Sequence, residues 1–398
     1  MNRNVDYSNF VSIIQSSGCG KSRMVHEQAT LVFTIPFNLR DPSESTGVSG
    51  RMAYPPSDET IYNHFLNFDT SNNNFFPSFF AQLFLAFEEE VTSAAKEWTK
   101  NQNPFSGREQ LATLWRNHLT DERRQSLYSR VVLRHKQVLR TGSNLSGNHA
   151  FTALKSLCDT LRGMTTETRA TETKTNEGSG PPVEVMVYFD EAHTLMPEKS
   201  PTGDNRTRLD LLCSSLTHFI KLPIFFIFLS TASSLSGLAP AAQYYRSSRA
   251  RDASNDLQAP ISETPFDCSP MLPISFGISM AELSTEEFMS RFGRPLFWSM
   301  LSKEASIDII GLARSKLILR HGINVPFNLL TPAVKTAVLD LRLRFEYEPT
   351  RKAARARDSE LVQSHMRFVQ SVPKSREYMR SSYPSEPILA EAAAQQMN

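Results

Sequence analysis

The stretch FVSIIQSSGCGKSRMV, residues 10–25, constrains the fold more than any other. A short apolar run leads to Gly18 and Gly20, and Lys21-Ser22 open a segment of helical character. A run of that length reads as a buried strand. A strand that passes through a tight glycine turn into a helix brings backbone N–H groups together at the helix N-terminus, where the macrodipole favours negative charge. Gly18 and Gly20 let that backbone approach a ligand with no Cβ in the way. In the pattern of a phosphate-binding loop, Lys21 reaches the β- and γ-phosphates and the Ser22 hydroxyl ligates Mg²⁺. Ser16, Ser17, Gly18, Cys19, Gly20 and Arg23 complete the nucleotide-binding set. A Gly/Ser turn ahead of a helix with an incidental lysine reads from the same residues, so the stretch alone leaves both open. Gln15 stands where the pattern begins with glycine. A side chain there implies a strained turn, weaker nucleotide binding, and a gain of about 1 kcal/mol in binding on Gln15→Gly.

A second pattern lies downstream. Residues 183–189, VEVMVYF, read as a buried strand that ends in Asp190-Glu191. Ligands bind at the carboxyl edge of a parallel α/β sheet. There Asp190 can hold Mg²⁺ and Glu191 can polarise an attacking water. Two solvated acids closing a strand are a common alternative, but both patterns in one chain, in this order, favour a nucleotide site. His193 has no partner motif and reads as a packing or hydrogen-bonding residue.

Composition excludes more than it selects. The 398 residues, 40% hydrophobic and 21% charged, suffice for a large core and about two structural units. A net charge of +2 gives no field pointing to nucleic acid or membrane. Cys19, Cys158, Cys213 and Cys268 are far apart and form no C-x-x-C pair, against zinc and against a disulfide framework, and in favour of a reducing compartment. The start, MNRNVDYSNF, offers no signal peptide, and with the first strand expected about ten residues from Met1 an upstream domain is expected to be absent, with truncation of the gene model left open as the reason. LPIFFIFL, residues 222–229, is too short to span a bilayer and reads as another buried strand.

Between the two patterns, residues 31–40 read as a second strand broken by Pro36. Helical spacing then runs over 75–100, with Phe79, Phe80, Leu83, Phe84, Phe87 and Val91 on one face and Glu88 to Glu90 on the wet side. It continues over 108–139 and 150–161. This makes an all-helical insertion over residues 59–163. Residues 165–182, TTETRATETKTNEGSGPP, have little to bury and read as a mobile surface loop. Mixed helices follow from residue 281 to 377, then a polar, Ala/Gln-rich tail over 378–398. No nuclease or kinase constellation is visible in them.

With these residues in place, the chain resembles an additional-strand P-loop ATPase of the AAA+/STAND kind. More narrowly, it resembles the ATPase modules of Crinkler-type effector proteins and their fungal relatives. SSGCGKSRMVHE, VFTIPFNLR followed by YPPSD, VMVYFDEAHTL, FFIFLSTAS, APISETPFD and FGRPLFW carry the resemblance, which spans most of residues 10–300. It implies an α/β, three-layer P-loop NTPase fold with a parallel sheet, the helical insertion between strands 2 and 3, and a C-terminal helical lid. The ATPase core would occupy 1–280 and the lid 281–377, with a strand at 272–276 after APISETPFD. The resemblance also places Thr231 or Ser230, at the tip of the 223–229 strand, beside the γ-phosphate, although a hydroxyl capping the next turn fits equally. Arg246, Arg249 and Arg251 stand where such ATPases project an arginine finger, or form a basic surface loop. Arg294 in FGRPLFW is a candidate second sensor of the γ-phosphate, or a helix cap. The basic run from Arg342 to Arg357 reads as a solvated helix face.

The expected function is a Mg-ATP-binding P-loop ATPase or nucleotide switch with slow turnover. Glu191, Thr231 and Arg294 would act in hydrolysis, and Ser22 and Asp190 would hold Mg²⁺. A non-catalytic nucleotide-binding or scaffold protein and a P-loop phosphotransferase stay open as alternatives, as do a homo-oligomer and a protein partner. Nucleic acid is not strongly indicated and no membrane is expected. The expected setting is intracellular, cytoplasmic or nuclear, with secretion into a host cell by an unrecognised route left open.

Overall fold

Four apolar runs form one sheet: β1 (Phe10–Ile14), β2 (Phe33–Asn38), β3 (Val185–Asp190) and β4 (Ile224–Ser230), in the spatial order β1-β4-β3-β2. The computed structural model describes residues 9–44, 54–98, 105–142, 145–165, 182–196, 207–231, 259–272, 277–319, 325–348, 350–374 and 376–397. Pairing is parallel from β2 to β3 and from β3 to β4, and β1 runs beside β4 in the same sense. Every residue of β3 is buried, as a strand covered on both faces must be. Phe37, Phe189 and Phe228 sit at matching register on β2, β3 and β4, and their rings stack at 5.0 Å and 5.3 Å. Pro36 lies within β2, opposite Tyr188, and does not break it. β2 is the outermost of the four strands, where a missing backbone donor is tolerated. Helix α1 (Lys21–Gln28) follows β1.

By its contacts the chain divides into two compact units. The first comprises Met1–Val11, Val25–Ser45 and Pro55–Phe228; the second comprises Ser12–Met24, Thr46–Tyr54 and Leu229–Asn398. The first contains the helical insertion between β2 and β3: α2 (Glu59–Leu66), α3 (Phe75–Trp98), α4 (Arg108–His118), α5 (Asp121–Thr141) and α6 (Gly147–Gly163). The stretch 108–139, expected as one helix, is two. Thr120 is extended ahead of Asp121 and Glu122, whose charges favour a new helix N-terminus. On α3, Phe76, Phe79, Phe80, Phe84, Phe87 and Val91 are all buried. Each such side chain contributes about 1.5–3 kcal/mol, so this face holds the insertion together. The three glutamates expected on its wet side each reach another helix. Glu88 accepts from Ser156 and Thr160 at 2.8 and 2.7 Å, Glu89 pairs with Arg134 at 2.8 Å, and Glu90 pairs with His118 at 3.0 Å and with Arg130. Helix α7 (Arg208–Leu216) precedes β4.

A buried polar chain crosses the insertion. His64 Nε2 lies 2.8 Å from His135 Nδ1, and His135 Nε2 lies 2.7 Å from Ser78 Oγ, which donates to the Asn74 carbonyl at 2.7 Å. That last bond fixes the direction of the chain, so His64 donates to His135 and His135 donates to Ser78. Burial pushes His64 down to about 4 and His135 down to about 3, and both are neutral in the fold. Below the ordinary histidine pKa of about 6.5 the unfolded chain takes up protons that the folded chain refuses. Stability is therefore lost as pH falls, by about 2 kcal/mol per histidine at pH 5. Asp58, whose carboxyl burial pushes up to about 6, acts in the opposite sense over part of that range. The check is a difference: denaturant unfolding at pH 7.5 and pH 5 should show a smaller acid loss for His135→Gln than for the parent. An equal loss would contradict this account.

In the second unit, Ile261 forms a parallel bridge with Ile13 of β1. Its N–H donates to the Ser12 carbonyl at 2.8 Å, and its carbonyl accepts from Ile14 N–H at 2.9 Å. The strand expected at 272–276 lies, apart from Leu272, outside the described residues; the pairing seen is made by Ile261, inside APIS, in a run too short to show a period. Single helical turns at Met280–Leu283 and Glu286–Met289 precede α8 (Pro295–Lys303), α9 (Ile309–Ile318), α10 (Pro332–Leu343) and α11 (Lys352–Ser364). An antiparallel pair, β5 (Phe368–Ser371) with β6 (Arg380–Ser382), and α12 (Pro387–Met397) complete the unit. The polar tail expected over 378–398 is thereby corrected. Ile388, Leu389, Ala392 and Ala393 are fully buried, on one face of a helix packed on α9 and α10. Their small alanines allow close approach, and Gln396, buried on the same face, donates to the Val325 carbonyl at 2.7 Å; the signal is hidden in the sequence by the polar residues Glu391, Gln395 and Gln396. Arg367, buried just ahead of β5, bonds Asp358 at 3.1 Å, Ser381 at 2.7 Å and Asp340, tying the β5–β6 pair to α10 and α11. In the basic run, Arg342, Arg344, Arg351 and Lys352 are exposed. No helix among the described residues is long and apolar enough to cross a membrane. Most of the expected mobile loop, residues 166–181, lies outside the described residues, as do Arg246, Arg249 and Arg251.

Candidate functional site

The glycine-rich loop is built on the end of β1, within the second unit. Gln15 N–H donates to the Ser230 carbonyl at 3.3 Å, extending the ladder by one residue. Gly18 and Gly20 both take φ +81°, in the left-handed region that glycine adopts without strain. The chain then enters α1, where Met24 N–H donates to the Gly20 carbonyl at 2.8 Å. Lys21 and Ser22 are the first two residues of that helix and are half-buried, while Arg23 is exposed. The Lys21 ammonium turns back over the loop, donating to the Gln15 carbonyl at 2.5 Å and the Ser16 carbonyl at 3.1 Å. Cys19 is buried, with its Sγ 3.6 Å from Ser16 Oγ. At the tip of β4, Ser230 is buried and Thr231 half-buried, and the Ser230 hydroxyl donates to the Thr231 carbonyl at 3.2 Å.

Gln15 overturns the expectation of a strained turn. It is not among the residues at positive φ, and its side chain is fully buried with all four hydrogen-bonding positions of the amide used. Nε2 donates to the carbonyls of Ser262 at 2.9 Å and Val369 at 2.8 Å. Oε1 accepts from Ser16 N–H at 2.9 Å and Val369 N–H at 2.8 Å. Only this orientation of the amide satisfies all four partners. The glutamine is an adapted contact that joins the end of β1 to β5.

Arg294, the candidate second sensor, is the residue ahead of α8, and it is fully buried. Its guanidinium forks onto Glu386, with Nε to Oε2 and Nη2 to Oε1 both at 2.7 Å. Nη2 also donates to the Met366 carbonyl at 2.6 Å, and Nη1 to the Ser17 carbonyl at 2.6 Å. Burial alone would lower its pKa, but the Glu386 carboxylate more than offsets this and holds it above the ordinary value. With these partners the side chain braces the loop from behind. Glu386 lies 92 residues away in sequence, and no local pattern marks it.

In the first unit, Asp190 closes β3 opposite Asn38 of β2 and is 2% exposed. Its carbonyl accepts from Leu39 N–H at 2.9 Å, and its Oδ1 accepts from Glu191 N–H at 3.0 Å. Glu191 takes φ 55°, an uncommon conformation for a side chain-bearing residue. Its carboxylate lies 3.5 Å from Arg40 Nη2 and 3.2 Å from His193 Nδ1. Neither partner carried a sequence signal: Arg40 follows the strand edge, and His193 stood without a motif. Nearby, Asn38 N–H donates to Asp58 at 2.7 Å and its amide donates to the Pro55 and Pro56 carbonyls at 2.6 and 2.8 Å, which accounts for the YPPSD stretch as a clamp on the end of β2.

These residues fit the groups that the sequence implies. A triphosphate asks for a glycine-shaped backbone at a helix start with one lysine, and Mg²⁺ on phosphates takes only one or two protein oxygens and keeps several waters. In the second unit the Ser22 hydroxyl is a hard oxygen donor of that kind, and in the first unit so, taken by itself, is the Asp190 carboxylate. The described residues contain no cluster of three or more His, Cys, Asp or Glu that would make an all-protein metal cage. Comparison with protein-family models, with curated proteins and with solved structures finds no match to this chain.

Proposed function

We propose that the chain is a Mg-ATP-binding P-loop ATPase of the AAA+/STAND type, working as a nucleotide switch with slow turnover. The observation that carries this reading is the loop over residues 15–22: two glycines at φ +81° join a sheet strand directly to a helix whose first residues are Lys21 and Ser22. Oriented N–H groups at such a helix start favour phosphate. In this reading Lys21 leaves the Gln15 and Ser16 carbonyls for the β- and γ-phosphates. By the sequence pattern, Ser22 and Asp190 would hold Mg²⁺, Glu191 would polarise water, and Thr231 would be the residue for the γ-phosphate. Bound Mg²⁺ would supply neutralisation of charge developing on the phosphates. Arg294 supports the loop and does not sense the nucleotide.

A second reading, a nucleotide-binding protein that does not hydrolyse, draws on the ion pair of Glu191 with Arg40, at 3.5 Å. Single-turnover experiments with γ-labelled ATP, alone and with small acceptors, separate the possibilities. Label released as inorganic phosphate supports the ATPase, and label in an acceptor supports a phosphotransferase. ATP that stays bound and intact supports the non-hydrolysing switch. No association at all contradicts every nucleotide reading.

A further inference from the structure

The geometry points to a positioning role for Arg294 and Glu386: through them the C-terminal segment sets the shape of the glycine-rich loop, and with it the loop's affinity for a triphosphate. This rests on the nucleotide-binding reading and deepens it.

A loop with two glycines at positive φ has little intrinsic rigidity, and fixing its residues costs backbone entropy. Something outside the loop must hold it. The Gln15 amide fastens one end to β5. The Arg294 guanidinium fastens the middle, donating to the Ser17 carbonyl at 2.6 Å and lying 3.4 Å from Ser16 Oγ. Leu296 N–H donates to the Gly18 carbonyl at 3.2 Å, and a Cβ on Gly18 would come within 2.9 Å of the Leu296 side chain. The brace is tight at its other end too. Gly293 takes φ +90°, and a Cβ there would meet Glu386 Cγ at 2.6 Å. A buried ion pair is a poor device for stability alone, since apolar residues of similar volume serve as well or better. What this pair supplies is a pair of N–H donors aimed at fixed points, the Ser17 and Met366 carbonyls, with Glu386 locking the fork in place.

The test separates bracing from stability. Glu386→Gln should lower the melting temperature, because it leaves a buried guanidinium without its counter-charge. The double variant Arg294→Met/Glu386→Leu should recover most of that loss, yet residues 16–20 should exchange amide hydrogen at least about tenfold faster in the ligand-free protein, and Mg-ATP should bind at least about tenfold more weakly. Should the double variant not fold, Arg294→Lys, which keeps the charge but not the fork, gives the same two readouts. Folded variants with parental exchange and parental affinity would overturn the proposal. A parent protein that does not bind Mg-ATP would instead overturn the nucleotide reading, and the exchange comparison would still decide whether the pair positions the loop.

Discussion

Glu191→Gln is expected to leave Mg-ATP bound and to slow its hydrolysis by on the order of 10²–10⁴-fold, the contribution of a positioned proton acceptor. The substitution keeps the size and hydrogen-bonding reach of the side chain and removes only its basicity. Its backbone has reason to stay in place. The left-handed conformation at Glu191 costs about 1–3 kcal/mol, and the bond from its N–H to Asp190 Oδ1 helps to hold it. Asp190→Asn should behave differently. The amide oxygen can still accept the Glu191 N–H, so the turn survives, but a nearly buried formal charge is lost and Mg²⁺-dependent nucleotide binding should weaken. Mg²⁺ titrations and turnover rates on both variants are the measurement. Two variants with the same profile would refute the division of roles.

The second large effect is at Gln15, and its direction is the reverse of what the sequence suggests. Glycine there removes four hydrogen bonds and leaves Val369 N–H, the Val369 carbonyl and the Ser262 carbonyl in the interior without that partner. At about 1 kcal/mol net per bond, with more for groups that water cannot reach, the loss should be roughly 3–5 kcal/mol. The added freedom of glycine in the unfolded chain pushes the same way. A fall in melting temperature of about 10 °C or more is expected, with Mg-ATP binding weaker than in the parent. Gln15→Glu, nearly identical in shape, should also destabilise, because a carboxylate would face two carbonyls. Thermal melts and calorimetry on the pair provide the check, and a Gln15→Gly protein that binds ATP more tightly would contradict the structure-based account.

Periodicity made much of the fold legible. The five residues of β1 are the run read as a strand, β3 and β4 lie within two residues of their expected bounds, and the aromatic stripe of α3 is buried as its spacing implies. Boundaries set by single residues were harder. Thr120 splits one periodic stretch into two helices, and Pro36 reads as a breaker until the strand order shows that it lies on the outermost strand. At the candidate site, local spacing made the placement legible: Gly18 and Gly20 form the turn ahead of a helix that opens with Lys21, and Asp190-Glu191 stand at the end of β3. The supports were not. Gln15 bonds Val369, and Arg294 bonds Glu386, across separations that no local pattern encodes. The same difficulty explains the misreading of Gln15, because a motif records which residue usually stands at a turn and not which partners a different residue can find there.

The most direct test of the central claim is a calorimetric titration of ATP, with and without Mg²⁺, into the parent protein and into Lys21→Ala. The lysine is half-buried and, among the described residues, its ammonium bonds two loop carbonyls, so its removal should shift the melting temperature by no more than a few degrees. The account predicts one Mg²⁺-dependent site in the parent and a loss of about a hundredfold or more in affinity in the folded variant, as expected when a cation is removed from an anion site. A Lys21→Ala protein that binds Mg-ATP as tightly as the parent, or a parent with no Mg²⁺-dependent site, would contradict it.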